Sequence, residues 1–189
     1  IDMDRDDDPD IVYDDRKRAD RGVWWLENPG PEGAEGEWPR HAVGGTDREV
    51  MFLDAGDLDR DGALGFAVAT RDGGVLLFAR ASEPDRWDRR EIPMPVDAGT
   101  GKAAAIGDVD RDGRNDLVVS CEAAEGKHGV FRLSRDAEDA WTAHAVSGLE
   151  GTKFDLVQLV DLDDDGDLDV LTCEERENLG VVWYENPGR

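Results

Sequence analysis

Four short segments of this chain place aspartate at every second position. They run Asp2-x-Asp4-x-Asp6-x-x-x-Asp10, Asp57-x-Asp59-x-Asp61-Gly62, Asp108-x-Asp110-x-Asp112-Gly113-x-x-Asp116 and Asp161-x-Asp163-x-Asp165-Gly166-x-x-Asp169. Their first aspartates lie 55, 51 and 53 residues apart. Self-similarity at a period of roughly 50 residues points to a propeller or a solenoid before any single irregular domain.

Other landmarks recur in the same phase. A Gly-Val pair opens an apolar run at Gly22, Gly74, Gly129 and Gly180, and a tryptophan opens a further stretch at Trp38, Trp87 and Trp141. The phrase Glu-Asn-Pro-Gly follows the apolar run at 27–30 and again at 185–188. Each unit then reads as four short strands. Strand A runs into the aspartate loop (50–56, 102–107, 154–160). Strand B leaves it (11–13, 65–70, 117–121, 170–173). Strand C starts at Gly-Val and strand D at the tryptophan. Four antiparallel strands per unit, repeated radially, describe a propeller blade. The expected fold is therefore all-β, a β-propeller region filling 1–189, with repeats near 1–49, 50–101, 102–152 and 153–189. The first unit lacks strand A and the last lacks strand D, so about three and a half to four blades are present. Closed propellers have about four to eight. The chain reads as an arc of a larger propeller, with the rest of that propeller or a second chain closing the disc. It opens on Ile1 rather than Met, which reads as a mature or trimmed piece.

Carboxylates at positions 1, 3 and 5 of a tight loop converge on one point, and glycine at position 6 permits a positive φ. A hard cation with about six to eight oxygen ligands suits such a loop, calcium better than magnesium because the geometry can be irregular. An EF-hand is excluded: its bidentate Glu at position 12 is replaced by Tyr13, Val68, Val119 and Thr172, and the flanks are β-type. The loops 108–116 and 161–169 are complete. The first has Asp7 where glycine is expected, a residue that tolerates the left-handed backbone. The 57–65 loop has Gly65 in place of the last aspartate and is expected to be the weakest of up to four sites.

The loop D-x-D-x-D-G-x-x-D followed by an apolar strand resembles the FG-GAP/VCBS repeat, and the likeness covers essentially the whole chain. Such repeats build the seven-bladed propellers of integrin α-subunits, certain fungal lectins and some bacterial polysaccharide lyases. The resemblance implies Ca2+ in the A–B hairpins on the lower face of a secreted, cell-surface or periplasmic protein. Carried over, the ligands are Asp2, Asp4, Asp6 and Asp10; Asp57, Asp59 and Asp61; Asp108, Asp110, Asp112 and Asp116; and Asp161, Asp163, Asp165 and Asp169. The backbone carbonyls would come from Asp8, Ala63, Arg114 and Asp167.

Composition enters through charge. The formal net charge is −24, and 19 of the 46 acids fall inside the four loops. That balance opposes nucleic-acid binding by counterion release and docking on anionic lipid. No apolar run approaches the roughly 18 residues that span a bilayer. The opposite, upper turns (14–21, 43–50, 71–73, 97–102, 121–128, 147–153, 173–179) hold ten of the 22 basic residues and 13 of the acids. Solvated turns explain that, and so does a site for a glycan or protein ligand. His41 and His144 share one repeat position and read as structural, whereas His128 beside Lys127 is the one candidate general base by location. The leading expectation is a binding or adhesion module without catalysis of its own. The alternative is part of a polysaccharide-active enzyme, such as a lyase on anionic glycans. That alternative needs Arg16, Lys127 and His128 to converge, with Tyr13 a further candidate proton donor. The tryptophans read as packing between blades, with Trp24 or Trp183 as possible sugar platforms. Cys121 and Cys173 read as free thiols.

Overall fold

The computed structural model describes residues 1–82 and 86–188. Among these residues fourteen strands form four antiparallel sheets, each a meander in chain order. Sheet I holds β1 (Ile11–Asp15), β2 (Gly22–Leu26) and β3 (Arg40–Gly44). Sheet II holds β4 (Val50–Gly56), β5 (Gly65–Thr70), β6 (Val75–Arg80) and β7 (Trp87–Ile92). Sheet III holds β8 (Thr100–Gly107), β9 (Asp116–Glu122), β10 (Val130–Arg135) and β11 (Trp141–Ala145). Sheet IV holds β12 (Phe154–Val160), β13 (Asp169–Glu174) and β14 (Gly180–Tyr184). The one helix among the described residues is a single turn, α1 (Gly30–Gly33).

Most strand limits fall where the apolar runs and turn residues put them. Trp38 is the exception. It precedes β3 and donates its indole N–H to the Ala34 carbonyl at 3.3 Å, because the Pro-containing turn from Asn28 delays pairing until Arg40. The β4, β8 and β12 strands each carry a register shift near their start, at Val50/Leu53, Gly101/Ala103 and Phe154/Val157. A bulge kept at one place in three sheets bends each strand the same way.

The sheets stack face to face in chain order. Val23, Trp25 and Val43 of sheet I meet Phe66, Val68, Leu76 and Phe78 of sheet II. Ala67, Val75, Leu77 and Ile92 of sheet II meet Ala104, Leu117, Val119 and Leu133 of sheet III. Ala103, Ala105, Val118 and Val130 of sheet III meet Phe154, Val157 and Val170 of sheet IV. A strand buried on both faces reads as an unbroken apolar run rather than an alternation. That is the pattern of Gly65–Thr70 and of Leu117–Cys121, buried along their length. The outer strands β7 and β11 are mostly exposed, and the β7 edge carries Arg89, Arg90 and Glu91, which discourages edge pairing. Gly129 is required by space: a Cβ there would sit 2.1 Å from Cε2 of Phe154, the ring that wedges between sheets III and IV.

Both cysteines are free, and burial pushes the Cys121 thiol up to about 12. Among the described residues no helix is long and apolar enough to cross a membrane.

Candidate metal centres

The four aspartate loops share one backbone design. The amide at position 6 donates to the position-1 carboxylate in each: Asp7 to Asp2 (3.2 Å), Gly62 to Asp57 (2.8 Å), Gly113 to Asp108 (3.1 Å) and Gly166 to Asp161 (2.9 Å). The amide at position 7 donates to the position-5 carboxylate: Asp8 to Asp6, Ala63 to Asp61, Arg114 to Asp112 and Asp167 to Asp165, at 2.8–3.0 Å. Positive φ recurs at position 6, at 73° for Asp7 and 82–92° for the glycines. A Cβ at Gly62 or Gly113 would meet nothing within 4 Å, so these glycines serve the backbone conformation rather than packing. Position 4 is left-handed as well, in Arg5, Arg60, Arg111 and Asp164. No glycine marks that position, so sequence alone does not reveal it.

Three loops gather carboxylates. The oxygens of Asp108, Asp110 and Asp112 lie within 4.8 Å of one another, as do those of Asp161, Asp163 and Asp165. In the first loop the trio is Asp2, Asp4 and Asp10, and Asp6 is not part of it. No such trio forms among the described residues of the 57–65 loop. There, Asp59 is drawn across the sheet interface into an ion pair with Arg135.

The last aspartate of the motif staples the loop shut. Asp169 accepts from the Leu162 amide at 3.1 Å and the Asn186 amide at 2.8 Å. Asp10 does the same with Met3 (2.6 Å) and Asn28 (2.8 Å). The recurring Glu-Asn-Pro-Gly phrase thus returns the end of strand C to the aspartate loop. Asp116 accepts from the Val109 amide at 3.1 Å and faces Arg132 at 3.3 Å. In the second loop the staple is apolar. Leu58 fills the space instead, and a Cβ on Gly65 would stand 2.7 Å from its Cδ1.

Electrostatics divides the loops further. Burial first, and then repulsion from Asp110, lifts the Asp116 carboxyl to about 6 against the pull of Arg132. Burial acts first on Asp169 too, but the Asn186 and Leu162 amides outweigh it and hold the carboxyl below its ordinary range. Burial and neighbouring Asp165 raise Asp167, a residue 3% exposed whose two carboxylate oxygens have no hydrogen-bond partner. In the 108–116 loop every member of the trio faces an arginine. Arg60 meets Asp108 at 2.9 Å, Arg132 meets Asp110 at 2.8 Å, and Arg114 pairs with Asp112. No ion pair reaches Asp161, Asp163 or Asp165 among the described residues. In both complete loops Oδ1 of the first aspartate, Asp108 or Asp161, is buried and receives no hydrogen bond.

The upper end is organised by ion pairs. Arg16 meets Glu49 at 2.8 Å, Arg71 meets Glu122 at 3.2 Å, and Lys102 bridges Glu122 (3.2 Å) and Asp155 (2.9 Å). Arg16, Arg71 and Lys102 thus link adjacent sheets rather than standing open to a ligand. Arg16, Lys127 and His128 are not brought together. Arg16 is tied to Glu49 ahead of β4, whereas His128 donates Nδ1–H to the Ser147 carbonyl at 2.7 Å within sheet III. Tyr13 pairs with Trp24 in sheet I, with the Arg40 guanidinium above both rings. His41 stacks on Trp25 at 4.2 Å and meets Glu27 at 2.8 Å, and His144 meets Ser134 Oγ at 2.9 Å. A cleft of about 420 Å³ lies at this end between Arg71, Glu122, Lys153 and Arg176.

No known protein-family model and no curated protein matches the chain.

Proposed function

We propose that the chain is a calcium-stabilised propeller segment that serves as a binding or adhesion module in a secreted or cell-surface setting. The observation that carries this reading is the repeated orphan oxygen. Asp108 and Asp161 each bury Oδ1 without a donor beside two further carboxylates. A buried carboxylate oxygen with no hydrogen-bond donor is costly and is compensated by a cation. Three carboxylates on a flexible hairpin, completed by backbone oxygen and water, fit calcium, whereas magnesium demands a stricter octahedron. Asp2, Asp4 and Asp10, then Asp108, Asp110 and Asp112, then Asp161, Asp163 and Asp165 would hold the ions. Bound calcium would supply charge neutralisation that ties each A–B hairpin into its sheet.

Stacked meanders with shared bulges and one loop design per sheet support the blade reading. The ligand end is the upper one, where a glycan or protein would meet the cleft beside Arg71 and Lys153. The lyase reading has no comparable support, since its three candidate groups are held apart.

Calorimetric titration of the chelator-stripped chain tests the metal. Calcium should bind at two or three sites, with dissociation constants of about 10⁻⁴–10⁻³ M typical of extracellular modules. Magnesium at the same concentrations should give no saturable heat. Equal binding of both ions would contradict the assignment. An array of neutral and anionic glycans, read with calcium and with chelator, tests the ligand class.

A further inference from the structure

Every interface between sheets in this molecule joins two kinds of face. A forward face is built from alternate residues of strands A, B and C and from position 2 of the aspartate loop, and a back face from the residues between them. Two such faces have no counterpart among the described residues. One is the forward face of sheet IV and the other is the back face of sheet I.

Register makes the comparison direct. Val130 opens β10 on the forward face of sheet III and is 0% exposed beneath sheet IV. Its equivalent in β14, Val181, is 75% exposed. Met3, Leu58 and Val109 at loop position 2 each join the interface with the following sheet, while Leu162 at the same position is 48% exposed. Leu156 and Trp183 extend this uncovered surface. At the other end Ile11 is 51% exposed where its equivalent Phe66 is 0% exposed, packed against sheet I. Tyr13, Trp24 and Leu26 lie on the same face as Ile11, since residues opposite one another in an antiparallel pair share a face.

We infer that these two faces bind each other between copies of the chain, sheet IV of one copy seating on sheet I of the next. The occupant follows from the molecule itself. Each of the three interfaces already formed pairs a forward face with a back face, and the two left over are one of each. Such a contact is heterologous, and two copies related by a twofold axis would make it twice. The result is a closed stack of eight sheets, the upper end of the range of about four to eight found in closed propellers. This inference deepens the blade reading and does not depend on the metal.

Light scattering coupled to gel filtration measures the mass in solution, with the 20.8 kDa chain as the unit. The wild-type chain should run as a dimer at tens of micromolar. Val181→Asp and Ile11→Asp each place a charge on one exposed face and should each lose the dimer while keeping the wild-type circular dichroism spectrum. A monomeric wild type would overturn the inference. So would a single variant that still dimerises, because face-to-like-face contact survives one of the two substitutions. An open polymer in place of the dimer would overturn it as well. Calcium titration on the same samples reads the metal sites independently, so failure of association and failure of the metal reading remain distinguishable.

Discussion

Glu174 shows how much one carboxylate can organise. It is 1% exposed, and its two oxygens accept from the amides of Thr152, Lys153, Arg176, Glu177 and Leu179, joining the turn before β12 to the turn after β13. Burial alone would raise its pKa, but those amides outweigh burial and lower it. A lowered folded-state pKa contributes stability that is present above the unfolded value and lost as pH falls through the folded one. Acid unfolding should therefore steepen below about pH 4.3, the ordinary Glu value. Glu174→Gln should cost about 1–3 kcal/mol by urea denaturation at pH 7, since one acceptor becomes a donor facing amides. It should also flatten the acid limb. In the aspartate loops, alternate aspartates were legible because their spacing is the chemistry. The arginines beside them were not, since Arg60 and Arg132 reach Asp108 and Asp110 from another loop or strand. They reorder the expected effects. Asp165→Ala, in the loop whose trio makes no ion pair among the described residues, should weaken calcium binding at that site by about tenfold or more, roughly 1.4 kcal/mol. Asp112→Ala should do less because Arg114 already compensates that carboxylate. Asp61→Ala should do least, the trio there being broken by the Asp59–Arg135 pair. Fluorescence titrations of the three variants would rank them.

At the scale of elements, apolar runs bounded by Gly and Asp located the strands because each buries at least one face against a neighbouring sheet. The tryptophan of the first unit misled for a local reason. Pro29 and Pro31 lie in the turn ahead of β3, and Pro39 accepts from the Glu27 amide but has no amide hydrogen to return, so β3 begins at Arg40. The repeated Gly-Val has no single cause: a Cβ at Gly22 or Gly74 would strike the backbone of the neighbouring strand, whereas Gly180 has a positive φ and open surroundings. At Gly129 the Phe154 ring of the next sheet occupies the place of a Cβ. Gly129→Ala should destabilise the fold by about 1–3 kcal/mol or more through overpacking. Gly62→Ala should cost less, because its positive φ is strained for alanine but its surroundings are open. Thermal melts of the two variants would separate contact from conformation.

Across the whole molecule, the four described sheets share three apolar interfaces, and the aspartate loops lie ahead of β1 in sheet I and between the first and second strands of sheets II, III and IV. The −24 charge is therefore concentrated at hairpins rather than spread over the surface. The repeat period exposed this architecture in the sequence. The pairing of upper-end cations into inter-sheet bridges was invisible there, because Lys102 and Asp155 are neighbours in space only once sheets III and IV have stacked. Metal held in the folded loops alone shifts the unfolding equilibrium by mass action, about 2.7 kcal/mol per site when calcium stands at 100 times its dissociation constant. For a chain of this size that is about 5–11 °C per site. The most direct measurement is the thermal unfolding midpoint of one preparation in calcium and in EDTA at matched ionic strength. The account predicts a fall of at least about 5 °C in EDTA, restored by excess calcium and not by magnesium. Superimposable melting curves in calcium and EDTA would contradict it.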